Sequence, residues 1–328
     1  MKTLLVGIDI SKDWLDYSTC CKEELTPSKS KRVDNNANGI LKMLSSLRKR
    51  QDTELWICFE HTGNYGLLLS SILQINSVKY SAVPAMEIKR SQGITRGKSD
   101  EVDAQRIAEY AAVHAHKIRP SELPSENLLK VKQLLTYRDQ LVKIKTQLMN
   151  SKKSFQLVEQ VVELEYISNN IQEKIHGLEA DIKHIEKQIE GHIKSNKTLK
   201  NNYDLITSVK GIGLVVAAFM LVYTQNFEAF DDPRKFNCYT GIAPFENSSG
   251  LTKGRSSTSN FGHKRIKTLI YNGANSATTH DPQLKAYYNR KKNEGKKHNC
   301  IMNAVACKLV ARAFATVKRQ TPYVTLLN

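Results

Sequence analysis

Four acidic residues in three short contexts could together bind divalent metal ions. Asp9 lies in LLVGIDIS, Glu60 in LWICFEHTG, and Asp100 and Asp103 in GKSDEVDAQ. Mg²⁺ prefers carboxylate oxygens, and two such ions can flank a scissile phosphate to stabilise its attacking and leaving oxygens. The set therefore predicts a two-metal site for phosphodiester chemistry on DNA or RNA. Mn²⁺ accepts the same ligands, so the residues do not distinguish the two ions.

The spacing of these acids has two interpretations. Asp100 and Asp103 would project from one face of a helix and could reach a metal held by the sheet. Alternatively, they only complement the helix dipole after a Ser99 N-cap. Asp9 and Glu60 each follow an apolar strand, where a buried carboxylate is costly without a partner or a metal. These two residues make the metal site the favoured interpretation.

A second chemical candidate is Ser249, in the segment GIAPFENSSGLTKGRSS. A serine hydroxyl is a poor nucleophile unless nearby cations or a metal stabilise the alkoxide and the phosphate charge. Ser-Ser-Gly is also ordinary loop composition, so the residues alone favour a structural role. The cations that surround it in sequence are Lys253, Arg255, Lys264, Arg265 and Lys267.

The elements that must position the acids follow the order βββαβαβα. TLLVGIDI, LDYSTC and KSKRVDN predict three strands before a helix over about residues 38–49, and LWICF, GLLLSSILQI and VKYSAV predict a strand, a helix and a strand. This is the order of a ribonuclease H-like domain, a mixed sheet whose site lies at the C-terminal edges of its parallel strands.

A long helical region follows the sheet domain. From about residue 128 to 193 the chain has almost no Gly or Pro, and apolar residues recur every three or four positions. This pattern predicts a helical hairpin or coiled coil, which is either an arm for oligomerisation or a simple spacer. The repeating positions are Ile167, Ile171, Ile175, Leu178, Ile182, Ile185, Ile189 and Ile193.

After residue 201 the chain is expected to be mainly helical. The segment LITSVKGIGLVVAAFMLVY predicts two helices joined by a Gly turn, which either contacts a phosphate through backbone N–H groups or only packs the helices. The predicted fold class is α/β plus α. We expect a ribonuclease H-like domain over residues 1–120, a coiled-coil linker over 121–200 and a helical domain over 201–328.

The net charge of +17 is concentrated near the C-terminus. Residues 251–328 hold 15 Lys and Arg and two acids, a net charge of +13. A segment with so few acids is a candidate surface for a polyanion, although a charge run is often only a solvated face. Besides the five cations near Ser249, the candidate nucleic-acid-binding residues are Arg290, Lys291, Lys292, Lys296 and Lys297.

Membrane insertion and metal–thiolate sites are not expected. The longest apolar run, residues 212–223, is shorter than the roughly 20 residues that span a bilayer. The N-terminus reaches Asp9 too early for a signal peptide. Six cysteines form no CxxC pair and have no His at zinc spacing, so they are expected to be free and reduced. These features predict a cytoplasmic protein without a membrane partner.

The motifs GIDIS, FEHTGNY, KSDEVDAQ, VKGIG and GIAPFENSSG, followed by GRSS and GHKRI, occur in a specific order. In that order they resemble the bridge-RNA-guided DEDD transposases of insertion-sequence family 110, which also includes Piv-type DNA invertases. The resemblance implies that the four acids form the DEDD set and that Ser249 is the nucleophile. Ser248 is an alternative attacker if the loop register slips, and Lys267 stands where members often have arginine.

The resemblance also implies a mechanism and partners. The serine would attack a DNA phosphate to form a covalent phosphoserine, while the acidic site and Mg²⁺ activate the hydroxyl and stabilise the leaving group. Two domains of different protomers would form one site, in a homodimer or homotetramer. A structured guide RNA would pair with donor and target DNA, in the cytoplasm of a bacterium or archaeon, with the protein nucleoid-associated when bound.

Three other functions remain open from the sequence. A Piv-type invertase would share the same residues but recombine fixed inverted sites. A RuvC-like hydrolase would cut DNA by water attack, with Ser249 as a loop residue only. A basic nucleic-acid-binding scaffold would need no catalysis, although the intact set of four acids argues against it.

Overall fold

The computed structural model describes residues 2–48, 53–61, 63–91, 100–245, 248–249, 252–253, 257–258 and 262–324. The chain divides into two compact units, Met1–Leu123 and Pro124–Asn328. Most of the helical segment that the sequence sets apart as a linker belongs to the second unit.

The first unit is a mixed sheet with helices on both faces. Its strands are β1 (Lys2–Ile10), β2 (Trp14–Cys21), β3 (Lys31–Asp34), β4 (Thr53–Glu60) and β5 (Lys79–Val83). Its helices are α1 (Ala37–Arg48), α2 (Leu67–Ile75), α3 (Ala85–Ser91) and α4 (Asp100–Val113), with a 3-10 turn at Gly63–Gly66.

The strand order of this sheet is β3-β2-β1-β4-β5. The first three strands pair antiparallel, as short connections allow, whereas β1 pairs parallel with β4 and β4 with β5. Helices α1 and α2 provide the crossovers that parallel pairing requires. The predicted mixed sheet is therefore confirmed, and so are the first two helices of the βββαβαβα order.

Each face of the sheet has its own apolar core. Leu4, Val6 and Ile8 of β1 pack into the core formed with α1 and α2. Leu5 of the same strand packs into the core formed with α3 and α4. Successive residues of a strand point to opposite faces, so even-numbered positions of β1 face α1 and α2, and odd-numbered positions face α4.

The second unit is mainly helical. Its helices are α5 (Glu126–Val158), α6 (Glu165–Lys194), α7 (Lys197–Thr207), α8 (Leu214–Tyr223), α9 (Pro233–Thr240), α10 (Lys264–His280), α11 (Pro282–Asn293) and α12 (His298–Arg319). Among the described residues between α9 and α10 are four strands of two residues each. They are β6 (Pro244–Phe245), β7 (Ser248–Ser249), β8 (Thr252–Lys253) and β9 (Ser257–Thr258).

Helices α5 and α6 form an antiparallel hairpin. The side-chain pairs Arg138–Glu186, Lys145–Glu179 and Lys152–Gln172 link them at positions symmetrical about their connection. The isoleucines of α6 turn inward as the spacing predicts, and the base of the hairpin shares the apolar core of α7, α8, α10 and α12. This common core explains why the hairpin belongs to the second unit. The buried isoleucines are Ile171, Ile175, Ile182, Ile185, Ile189 and Ile193.

Helix α12 is the central helix of that core and is also long and apolar enough to cross a membrane by length and composition. The longest uninterrupted apolar run of the sequence forms α8 instead. Helix α12 does not stand out as such a run, because Lys308 and Arg312 interrupt its apolar residues. Half of the apolar stretch is buried inside the unit, through residues such as Val305 and Leu309. A core helix passes the same test, so this is weak evidence for a membrane span.

Candidate functional site

Asp9 lies at the end of β1 on the face of the sheet that α4 covers. Leu5 and Gly7 share that face, because they are separated from Asp9 by even steps along the strand. The side chain of Asp9 is partly buried. The sheet thus presents this carboxylate at the carboxyl end of its central strand.

Glu60 lies beside Asp9 on the neighbouring parallel strand. The pairing of β1 with β4 includes Ile8 opposite Phe59, so the next position on each strand brings Asp9 next to Glu60. Cys58, two residues before Glu60, packs into the core under α4, which places Glu60 on the same face as Asp9. Glu60 is also partly buried. The structure therefore brings two of the four predicted acids together.

Helix α4, which begins at Asp100, lies directly on β1 because residue 7 is glycine. A Cβ atom at Gly7 would lie 2.1 Å from the backbone nitrogen of Ala108 and 2.5 Å from the carbonyl oxygen of Ala104. Asp103 precedes Ala104 by one residue, so it is placed on the helix that covers the Asp9 face. Arg106 Nη1 donates to Asp103 Oδ1 at 3.1 Å. The side chain of Asp100 lies outside the described residues.

Asp16 is an acidic neighbour that the sequence interpretation missed. It pairs with Asp9 across the antiparallel ladder of β1 and β2, so the two side chains lie on one face. Asp16 is almost fully buried, and Arg32 binds both of its oxygens at 3.0 and 2.8 Å. The guanidinium also lies over the Trp14 ring. The only sequence signal was an acid within an apolar strand followed by an Arg on the next strand.

The acids have the chemistry of a hard-metal site, but the described side chains do not assemble one. Carboxylate oxygens on adjoining strand ends are suitable ligands for Mg²⁺. Among the side chains that the structure describes, no group of three or more His, Cys, Asp or Glu could hold a metal ion. Because the Asp100 side chain is not among them, the complete set of four is not tested and remains a prediction.

Ser249 and Ser248 form β7, the first strand of a small ladder. Ser249 pairs with Thr252 and Ser248 with Lys253 of β8. A second ladder joins β6 to β9 and closes the segment around them. At its base, a Cβ atom on Gly262 would lie 2.4 Å from Gly241 Cα, so the two backbones touch. The side chains of both serines lie outside the described residues.

The predicted cations near the serine have different surroundings. Arg265 binds both carboxylate oxygens of Asp139, with Nε to Oδ2 at 2.6 Å. Lys267 Nζ donates to Thr258 Oγ1 at 3.2 Å, which ties α10 to β9. Lys264 is exposed. Arg255 and the side chain of Lys253 lie outside the described residues.

The remaining predicted cations lie at the turn between α11 and α12. Arg290, Lys292, Lys296 and Lys297 are exposed, and Lys291 is half-buried and bound to Glu294 at 2.6 Å. That contact also lowers the pKa of the Glu294 carboxyl. On the adjoining surface, the cationic groups of Arg290 and Lys308 lie over the Tyr287 ring, 5.5 and 4.7 Å from its centre. One acid cannot balance this group, so it forms a positively charged surface.

The VKGIG turn joins α7 to α8 and has two different glycines. Gly211 has a positive φ of 100°, and a Cβ there would lie 2.5 Å from the carbonyl oxygen of Gly273 on α10. Gly213 is exposed and is the N-cap of α8, with nothing within 4 Å of an added Cβ and no side-chain cap. Helix packing therefore accounts for Gly211, whereas Gly213 leaves the helix terminus open to a ligand.

Two models of protein families match this chain. The first, a model of IS110 DEDD transposases with the description "Transposase", matches residues 6–160. The other, described as "Transposase IS116/IS110/IS902 family", matches residues 203–289. The first covers the strands that carry Asp9 and Glu60 together with α4, and the second covers the serine segment and the start of the basic region.

Several known proteins are similar to parts of the chain. The insertion element IS110 uncharacterized 43.6 kDa protein of Streptomyces coelicolor is 27% identical over 36% of this chain. A probable family 20 transposase of Pseudomonas aeruginosa is 25% identical over 32% of it. These matches span only 29% and 30% of the two relatives. The insertion element IS116 uncharacterized 44.8 kDa protein of Streptomyces clavuligerus is 19% identical over 95% of this chain and 94% of its own.

A solved structure is also similar to part of the chain. T. thermophilus RuvC in complex with Holliday junction substrate matches 36% of this chain and 99% of its own, at 15% identity and a TM-score of 0.29.

Proposed function

Because the chain belongs to the IS110 family of transposases, we propose that it cuts and rejoins DNA as the transposase of an insertion sequence. In this proposal Ser249 is the nucleophile. The first unit is a RuvC-like domain whose acids Asp9, Glu60, Asp100 and Asp103 bind Mg²⁺ or Mn²⁺. The strand order of the sheet supports this assignment.

The observation that carries the proposal is the placement of Asp9 and Glu60. They end two neighbouring parallel strands in register, on the face covered by the helix that holds Asp100 and Asp103. Carboxylates so close together repel one another unless a cation lies between them. A bound divalent ion would supply charge stabilisation at the scissile phosphate. Asp16 would keep a fixed orientation beside the site, because Arg32 holds both of its oxygens.

The proposed reaction conserves the phosphodiester bond. Ser249 Oγ attacks the phosphorus and loses its proton, one ester bond of the DNA breaks, and the released DNA hydroxyl takes a proton. The strand is then held as a phosphoserine ester. Attack by another DNA hydroxyl on that ester restores the serine and rejoins DNA without an outside energy source. The acids and the nearby cations would stabilise the charge that develops in each step.

The proposed partners are donor DNA, target DNA and a structured guide RNA, in the bacterial or archaeal cytoplasm and with no membrane. The surface at the α11–α12 turn and the exposed Lys264 favour a polyanion. The open N-terminus of α8 at Gly213 offers backbone N–H groups for a phosphate. We further propose a homodimer or homotetramer, with the α5–α6 hairpin as a coiled-coil assembly element.

The test is to search for a covalent link between DNA and the serine. The protein is expressed with its native flanking DNA, nucleoprotein is denatured, and peptide mass spectrometry locates the modified residue. We expect an adduct on Ser249 that Ser249→Ala and Asp9→Asn both abolish. Asp13→Asn is the matched control for Asp9, because Asp13 is exposed and lies just beyond β1. Chelation by EDTA should abolish the adduct, and added Mg²⁺ or Mn²⁺ should restore it.

Other outcomes would select other functions. An adduct on Ser248 would move the nucleophile by one residue. Cleaved DNA without an adduct, unchanged by Ser249→Ala, would reject the proposal in favour of a metal-dependent hydrolase. An adduct formed only at paired inverted repeats around a switchable segment would indicate a Piv-type invertase. Loss of adduct when the adjacent noncoding RNA is deleted would support guidance by RNA.

A further inference from the structure

A cavity of about 260 Å³ lies at the surface of the second unit, where α5 and α8 meet the start of α10 and where Lys143 is exposed. Residues between Lys132 and Lys143 on one face of α5 line one side of the cavity. Residues of α8 and of the start of α10 line the other side. The polar residues around it include Lys132, Asp139, Lys143, Tyr223, His263 and Arg265.

The acid in this cavity is already neutralised. Asp139 is held by both arms of the Arg265 guanidinium, and Arg138 Nη1 lies 3.7 Å from Asp139 Oδ1. Arg138 itself binds Glu186 of α6 at 2.8 Å. Two arginines and two acids therefore balance within one network. Any further cation that lines the cavity is in excess.

Lys132 and Lys143 are those excess cations. Within the described part of the chain, neither ammonium group has a hydrogen-bond or ion-pair partner. Burial lowers the pKa of Lys132. Burial also lowers the pKa of His263, and the charge of Lys132 lowers it further. The charge of Lys132 thus disfavours protonation of His263, and an anion bound in the cavity would stabilise the charges of both lysines.

The histidine is oriented by the start of α10. The backbone N–H of Ile266 donates to His263 Nδ1 at 3.4 Å, so Nδ1 is the acceptor and the neutral ring carries its proton on Nε2. The ring also lies edge-on to Tyr223, with 4.6 Å between the ring centres. His263 can therefore add a neutral N–H donor to the two lysines.

We propose that this cavity binds one phosphate group, through Lys132, Lys143 and His263. Two ammonium groups and a ring N–H supply charge-assisted and neutral hydrogen bonds to a tetrahedral oxyanion. The phosphate comes from a nucleic-acid strand or from a free phosphate ion, and only the first source rests on the proposed function. Arg265, which the sequence suggested as a phosphate contact, lines the same cavity but is bound to Asp139.

The experiment follows the His263 ring by NMR in the full chain with ¹³C-labelled histidine. His263→Asn identifies its signal among the nine histidines, and Asn retains an N-cap side chain. Inorganic phosphate and a short single-stranded oligonucleotide are titrated in turn, with chloride at equal ionic strength as the reference. We expect a saturable shift with inorganic phosphate that chloride does not reproduce.

The variant Lys132→Gln/Lys143→Gln should weaken phosphate binding by at least about tenfold, the scale expected for lost hydrogen bonds to a charged group. The matched control is Lys153→Gln, an exposed lysine further along α5 that should leave binding unchanged. A shift with the oligonucleotide as well would identify nucleic acid as the source, and a shift with phosphate alone would identify the free ion.

Two results would overturn the site. One is a chloride titration that matches phosphate, and the other is undiminished phosphate binding in the double variant. Circular dichroism melting of each variant verifies folding. These readouts need no DNA cleavage, so a failed search for the serine adduct would leave this site standing, and a failed phosphate titration would leave the proposed reaction standing.

Discussion

The acidic edge of the sheet and the serine segment of the second unit hold their residues by different means. Asp9 and Glu60 lie on long neighbouring strands, and the ladder between them sets their separation. Ser249 lies on β7, of which Ser248 and Ser249 are described, and pairs with Thr252 of β8. The segment around it is closed by β6–β9 pairing and by the Gly241–Gly262 contact. Backbone pairing within a five-stranded sheet therefore positions the carboxylates, whereas the small ladder that holds the serine also depends on contacts at its base.

This difference means that distinct backbone contacts should control the two sites. For the acids, the critical contact is α4 on β1 at Gly7. For the serine, it is Gly262 against Gly241. Each can be tested by adding one methyl group.

The largest effect is expected from Gly7→Ala. The new Cβ would collide with the backbone of Ala108, so α4 must move away from β1 together with Asp103. We expect a loss of stability of about 3 kcal/mol in the first unit and a loss of strand cleavage. Thermal unfolding and cleavage assays measure both.

The control for this substitution is Gly177→Ala on α6, where nothing lies within 4 Å of the added Cβ. Alanine there should stabilise the helix slightly. Wild-type cleavage by Gly7→Ala would show that α4 does not position the acids.

Gly262→Ala should have the next largest effect. Its Cβ would lie 2.4 Å from Gly241 Cα and would open the base of the serine segment. We expect about 2 kcal/mol lower stability of the second unit and a loss of adduct at Ser249, while the first unit melts normally. If adduct formation survives, the serine segment does not depend on this contact.

Asp139→Asn tests how the start of α10 is held to the hairpin. The substitution removes the charge between Arg265 and Arg138 while keeping the side-chain shape. Both partners are partly buried, so we expect a loss of about 1–2 kcal/mol, measured by urea unfolding. Asp231→Asn, at an exposed surface pair with Lys235, should change stability little. Equal effects of the two substitutions would show that the Asp139 network has no special role.

The smallest effect on the fold is expected from Lys296→Gln/Lys297→Gln at the α11–α12 turn. Both lysines are exposed, so thermal stability should not change. Nucleic-acid affinity should fall, and its dependence on salt should become shallower by about one ion for each lost phosphate contact. An unchanged salt slope in an equilibrium binding assay would remove this surface from the interface.

Local patterns were sufficient for much of the first unit. The apolar runs and their connections predicted the strands, the helices between them and the placement of Asp9 and Glu60 at the ends of parallel strands. They were sufficient because burial on a pleated sheet leaves a period-two signal in the sequence. The isoleucine seam of α6 was predicted in the same way, because a helix that packs on one face repeats every three to four residues.

Pairings between distant residues could not be predicted in this way. One example is the ion pair of Arg265, a predicted nucleic-acid contact, with Asp139, 126 residues earlier in the chain. Asp16 was not identified as a neighbour of Asp9, because this pair depends on the register of β1 and β2. Its ion pair with Arg32 depends in the same way on the register of β2 and β3. Neither residue carries a local signal of its partner.

The sequence by itself determined the order of the elements and the concentration of positive charge near the C-terminus, and it supplied the candidate residues for chemistry. Tertiary structure alone decided which charges are neutralised and which remain in excess, as Arg265 and Lys132 illustrate around one cavity. The physical reason is that periodicity and composition are local properties of a chain. The effect of a charge depends on the groups that folding brings within a few ångströms of it.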